Sequence, residues 1–330
     1  MRGLSLSREP KKHLNRGGLM ETTLNTFWRA SIVLSLVLFT ACTTKPTRVQ
    51  ENPARRTDTV PGADKPIEIT PETVVVDARP RFDYSVAHIP KAISLQWSDF
   101  TEPEPAQRGI LQRDLFAATR RLARAGIDPN THVVVVGRGL AGQGEEGRVA
   151  WMLRYLGVTN VQFASLESLK PRLTNLSEET PLAEKPMWKP NSVESLHVTR
   201  TELLNAINKQ GTTRPLVSPV SASPVLYRII DVRSERAYLG KEGLGASRKV
   251  PNMGAINIPW REFFEPSMKP QEELAVRLRQ VGIDPSHRII VVDEDGVSSA
   301  AVALALRMLG FEKAGNYSGG LQDLLSAYGQ

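Results

Sequence analysis

The run IIVV at residues 289–292 is followed by a short polar loop and then by an Ala/Leu-rich stretch ending at Gly310. Four β-branched residues in a row read as a strand buried on both faces, and the stretch after the loop has helical composition. The same succession recurs: VVV at 74–76, VVVV at 133–136 and the run at 226–232 are each followed by helical patterning. Such alternation predicts an α/β fold, each sheet mostly parallel and flanked by helices.

The chain also matches itself. VVVDARPRFDY at 74–84 aligns with RIIDVRSERAY at 228–238, and AISLQWSDF at 92–100 with AINIPWREF at 255–263. LARAGIDPNTHVVVV at 122–136 aligns with LRQVGIDPSHRIIVV at 278–292, and WMLRYLG at 151–157 with LALRMLG at 304–310. The order is the same in both halves and the period is domain-sized, which means a tandem duplication and not a solenoid. The expected organisation is a first domain at 70–170, a Pro-rich linker at 171–195 and a second domain at 196–330. A loop at 212–224 is inserted before the strand at 226–232, and YSGGLQDL at 317–324 predicts a strand end, a Gly-Gly turn and a last helix.

Ahead of the first domain the pattern changes. Arg29 precedes an apolar stretch at 30–40 that is too short to span a bilayer, and small residues then lead to Cys42. This order fits a secretory signal, and FTAC at 39–42 resembles the lipobox of bacterial lipoproteins. The resemblance implies cleavage before Cys42 and its lipidation, and several acyl chains anchor a protein stably to a membrane. Residues 1–42 are thus expected to be the signal segment, with Met20 a better start than Met1. Residues 43–69, rich in Pro, Thr and charge, are expected to form a disordered tether. Thr43 after the Cys, in place of an Asp, leans toward the outer membrane of the bacterial envelope.

Composition narrows the function. The net charge of +7 is uneven, since residues 1–41 hold six Lys/Arg against two acids. The remainder has no basic-aromatic cluster of the kind nucleic acid requires, so no nucleic-acid partner is expected. Cys42 is the one cysteine, and the five His residues lack metal-ligand spacing, so no disulfide, metal site or cofactor is expected. DEDG at 293–296 resembles the start of a calcium loop but lacks the later ligands and the distal Glu. GRGLAGQG at 137–144 lacks the Gly-Lys-Ser/Thr ending of a phosphate loop.

The repeated stretches resemble the rhodanese family, specifically the tandem thiosulfate and mercaptopyruvate sulfurtransferases. The resemblance rests on DAR (Asp77, Arg79) and DVR (Asp231, Arg233) at strand ends and on AHIPKAISL at 87–95. GAINIPW at 254–260 is a looser copy, with Pro251 where the His would fall. Asp231 and Arg233 are expected to stitch loops together, His88 to be a hydrogen-bonded turn residue, and Trp97 and Trp260 to be core anchors.

The resemblance also implies a cysteine directly after the central strand of the second domain, carrying sulfur as a persulfide. Asp293 stands at that position, followed by Glu294, Asp295, Gly296, Val297 and Ser298. The first domain has Gly137 there, in a Gly-rich loop with Arg138, Gly139 and Arg148. A carboxylate is a poor nucleophile toward sulfur and stores no persulfide, so cysteine-based sulfur transfer is excluded, as is cysteine phosphatase chemistry. Asp293 is expected either to turn into the loop and accept its N–H bonds or to face solvent as an N-cap. The expected function is a catalytically inactive, lipid-anchored rhodanese-like binding or scaffold module, its partner an envelope protein or a small anion. The loop at 137–144 is expected to be flexible and Gly-rich, with Arg138 and Arg148 flanking it where a small anion would have to sit. The alternative is a sulfurtransferase-family enzyme with non-cysteine chemistry.

Overall fold

The computed structural model describes residues 67–173, 183–210 and 226–328. The signal segment, Cys42, nearly all of the tether and the insert at 212–224 lie outside the described residues.

The first domain runs β1 (Val74–Asp77), α1 (Arg81–Val86), β2 (Ile93–Ser94), α2 (Leu115–Arg124), β3 (His132–Gly137), α3 (Glu145–Leu156), β4 (Asn160–Ser165) and α4 (Leu166–Leu173). The second runs α5 (Arg200–Gln210), β5 (Tyr227–Asp231), α6 (Glu235–Tyr238), α7 (Leu244–Ser247), β6 (Ile256–Asn257), α8 (Glu273–Gln280), β7 (Arg288–Val292), α9 (Ser298–Met308), β8 (Ala314–Asn316) and α10 (Gly320–Tyr328). Each sheet is wholly parallel, ordered β2-β1-β3-β4 in one domain and β6-β5-β7-β8 in the other. Register is duplicated too, with Asp77 opposite Val136 and Asp231 opposite Val292.

The repeated GIDP motif has a local cause. Gly126 and Gly282 end α2 and α8 with φ of 81° and 78°, a conformation that suits glycine. The following Ile127 and Ile283 donate their N–H back to Leu122 and Leu278 at 2.9 Å and bury their side chains. Asp128 and Asp284 then accept the N–H of Asn130 and Ser286, both at 2.9 Å, turning the chain into the next strand.

One buried apolar cluster continues across both domains, from Val133 and Trp151 to Ala301 and Leu304. Its centre is the crossing of α3 and α9, where a Cβ added to Gly147 would lie 2.3 Å from the Cβ of Ala301. Only a glycine allows the helices this close.

Residues 183–195, the described part of the Pro-rich linker, lie against the first domain. Trp188 is fully buried and its indole N–H donates to Ile127 O at 3.0 Å. Lys185 N, Asn191 N and Val193 N donate to carbonyls of Ala123, Leu156 and Tyr155. The segment is strapped to the first domain because its few apolar residues are large enough to anchor it.

Candidate functional site

Both central strands end at the interface between the domains, and the loops that follow them meet there. Ser298 Oγ donates to Gln143 O at 2.9 Å, and Arg148 Nη1 donates to Gly296 O at 3.1 Å. The Gly-rich loop of the first domain and the acidic loop of the second are therefore neighbours.

In the second domain the three acids go three ways. Asp293 is 4% exposed and turned into its own loop. Its Oδ1 accepts from Gly296 N, and its Oδ2 accepts from Ser299 N at 3.0 Å. The Ser299 hydroxyl lies 3.0 Å from Asp293 Oδ1 and 2.6 Å from Asn316 Oδ1, so its one proton is shared between two acceptors. Asn316 in turn donates to Gly296 O at 3.1 Å. Glu294 points elsewhere, its Oε1 accepting from Leu244 N at 3.0 Å at the start of α7. Asp295 lies in the field of Arg108 and Arg148.

Burial pushes the Asp293 carboxyl up to about 7, with Asp295 adding to the rise and the N–H bonds from Ser299 and Gly296 opposing it. The Asp295 carboxyl is also raised by burial, against the pull of Arg108 and Arg148.

The acidic loop is covered as well as filled. A Cβ on Gly109 of the first domain would lie 2.1 Å from Asp295 O and 2.2 Å from Ser318 O. Gln322 Nε2 reaches Pro105 O at 2.8 Å beside it. Gly296, with φ of 80°, packs against Ser318 O so closely that a side chain has no room.

Arg148 locks this cover in place. Its guanidinium is fully buried, donates to Gly109 O at 2.5 Å as well as to Gly296 O, and stacks 4.7 Å over the Trp151 ring. Burial lowers its pKa to about 10, against the raising influence of Asp293 and Asp295. The residue expected to flank an anion beside the Gly-rich loop instead points the other way, into the second domain. The reason is its place on α3: it lies on the face that packs against α9.

The first-domain loop is filled by a residue that sequence reasoning missed. Glu146, in the first turn of α3, is fully buried, and its Oε1 accepts from Gly139 N at 3.0 Å. Its Oε2 has no hydrogen-bond partner. Burial pushes the carboxyl up to about 8, with neighbouring Glu145 adding to the rise and the backbone N–H bonds opposing it. Gly137 is a glycine because a Cβ there would sit 2.3 Å from Glu146 Oε2. Arg138 turns outward to Asp83, with N···O distances of 2.7 and 2.6 Å.

The strand-end pairs are structural stitches. Arg79 forks onto Asp77 with its closest contact at 2.7 Å and reaches Ala87 O, also at 2.7 Å. Arg233 forks onto Asp231 at 2.6 Å and reaches Ala237 O at 3.1 Å. His88 Nδ1 lies 2.9 Å from Tyr84 O and the two rings stack at 4.1 Å. Trp97 and Trp260 are buried in the shared core.

The profile of the Rhodanese-like domain matches residues 63–165 and 202–327, more than half the chain. The thiosulfate sulfurtransferase of Azotobacter vinelandii is 26% identical over 261 residues, covering 76% of this chain and 86% of that protein. The 3-mercaptopyruvate sulfurtransferase of Escherichia coli (strain K12) is 25% identical over 265 residues, covering 76% and 88%. Among solved structures, the 3-mercaptopyruvate sulfotransferase SseA of Escherichia coli superposes with a TM-score of 0.58 at 23% identity, covering 76% of this chain and 93% of that one. The anaerobic ergothioneine biosynthesis enzyme of Chlorobium limicola superposes with a TM-score of 0.62 at 16% identity, covering 82% and 68%. These structures share the fold. With two such domains in tandem, the chain belongs to the rhodanese-like family.

Proposed function

We propose that this chain is a non-catalytic, sulfurtransferase-like binding protein, held on the bacterial envelope by lipid at Cys42. The observation that carries the reading is that each strand-to-helix loop is occupied by the chain's own carboxylate, Asp293 in one domain and Glu146 in the other. A persulfide needs a thiolate and N–H groups free to hold it. Here the N–H groups of Gly296, Ser299 and Gly139 are taken, and neither position carries sulfur. Once ionised, as Asp293 is above about pH 7, the carboxyl also repels an anionic sulfur donor. The alternative, an enzyme with non-cysteine chemistry, draws on the sulfurtransferase names of the relatives.

One assay separates the two. The full-length chain in detergent is mixed with thiosulfate and cyanide, and thiocyanate is measured. The expected result is no formation above the protein-free background. Turnover lost in Asp293→Ala would establish the enzyme reading instead. Membrane attachment is tested separately by labelling cells with a radioactive fatty acid, with label absent from Cys42→Ser.

A further inference from the structure

Beside the filled loops the interface leaves one open polar cleft of about 530 Å³. Three guanidiniums from three separate segments line it: Arg108 before α2, Arg138 in the Gly-rich loop, and Arg261 from the second domain. Arg108 stacks 5.1 Å over Trp97, its guanidinium has no hydrogen bond and no carboxylate at ion-pair distance among the described residues, and Asp295 is the acid in its field. Arg261 stacks 4.9 Å over Trp260 and donates from Nε to Leu140 O at 3.0 Å and from Nη2 to Gly142 O at 3.2 Å. Its Nη1 has no partner among the described residues. Those two bonds spend only one edge of the group, and they fix its position against the loop.

Acids stand by the cleft: Asp295 lies in the field of Arg108, though its burial favours the neutral carboxyl. Asp83 holds Arg138, and Glu145, itself a lining residue, accepts the N–H of Gln143 at 2.8 Å. Ser98 and Gln143 add neutral polar groups to the lining. An arginine fork pairs two donors with two oxygens of one anion, and forks arriving from different directions suit a tetrahedral head better than a planar carboxylate. Stacking Arg108 and Arg261 on indoles limits their rotamer freedom, so less is lost on binding.

We propose that this cleft binds a small molecule carrying a tetrahedral oxoanion, a phosphate or sulfate group, held by Arg108 and Arg261, with Arg138, itself paired to Asp83, in the lining beside them. The cleft exceeds one such head in volume, so the rest of the molecule lies along Trp97 and Ala141. The site rests on the binding-protein reading but uses none of the residues that carry it. Thiocyanate formation would remove that reading and leave this site standing, whereas failure to bind anion removes this site alone.

The test is calorimetric titration of the full-length chain in detergent, at low ionic strength, with inorganic phosphate and separately with inorganic sulfate. Trp fluorescence is followed in parallel. Saturable binding of either anion is expected, with Kd of about 1 mM or tighter. Arg108→Gln should weaken it by about tenfold or more, and Arg261→Gln likewise, because each removes a charge-assisted pair. Arg113→Gln, whose exposed side chain is no part of the cleft, should bind as the unaltered chain does. Absence of saturable binding for both anions overturns the proposal. So does equal affinity in Arg108→Gln when its thermal midpoint is unchanged.

Discussion

Gly137 and Glu146 compete for one space: the glycine's missing Cβ would lie 2.3 Å from Oε2, 2.6 Å from Cδ and 2.9 Å from Cβ of the glutamate. The small residue and the buried acid are therefore one feature, nine positions apart in sequence and joined only by the fold. Gly137→Ala should lose about 1–3 kcal/mol by overpacking. Combined with Glu146→Ala the loss should shrink, a non-additivity that a double-mutant cycle in urea measures. Strict additivity would separate the two residues.

The buried acid also predicts a pH response. Glu146 has its pKa raised from 4.5 to about 8, so its stabilising contribution is complete below about 4.5 and lost as pH rises through about 8. Glu146→Gln stays neutral throughout. Its thermal midpoint should fall at or below that of the unaltered chain at pH 5 and above it at pH 9. The gain at pH 9 should be on the order of 1–3 kcal/mol, or several degrees. A midpoint difference that does not change with pH would refute the account.

In the second domain the acid is better bonded, and its removal should be destabilising. Asp293→Ala leaves the N–H groups of Gly296 and Ser299 buried without their acceptor. A loss of about 1–3 kcal/mol is expected at pH 5, where the carboxyl is largely neutral and its desolvation is slight. Asp293→Asn keeps one carbonyl oxygen and should lose less. Denaturant midpoints at pH 5 check both, and an undiminished midpoint in Asp293→Ala would mean that the loop does not depend on that carboxyl.

Arg148 joins the domains through two carbonyls: Gly109 O, which its side chain alone satisfies among the described residues, and Gly296 O, which it shares with Asn316. Arg148→Met keeps the stem over Trp151 and removes the donors. One carbonyl left unpaired, Gly109 O, and one left with Asn316 alone, partly offset by a charge no longer desolvated, should lower stability by about 1–3 kcal/mol. The midpoint should fall without a second transition appearing, since the core is shared. Retention of full stability would assign those carbonyls other partners.

The parts of this structure that are local in cause were legible in the sequence. Four β-branched runs gave the central strands, and the repeated GIDP announced helix stops followed by buried strands. The DAR and DVR pairs announced their own ion pairs because partners two residues apart at a strand end can hardly miss each other. What the sequence hid was long-range. Nothing around Glu146 distinguishes it from a solvated acid in a first helical turn; the only trace is a glycine where a side chain would be expected. Arg108 and Arg261 lie 153 positions apart and meet only through the pseudo-symmetric docking of the domains. Which way Arg148 faces is set by α9, packed against its helix, so no local signal gives it. In the linker, prolines and charges outnumber Trp188 and Val193, yet those two buried residues decide where the segment lies.

The near-contact of Gly147 with Ala301 leaves no room for a side chain between the halves. A single methyl group at position 147 would have to lever two helices apart, so the smallest possible change there would be felt by both domains at once.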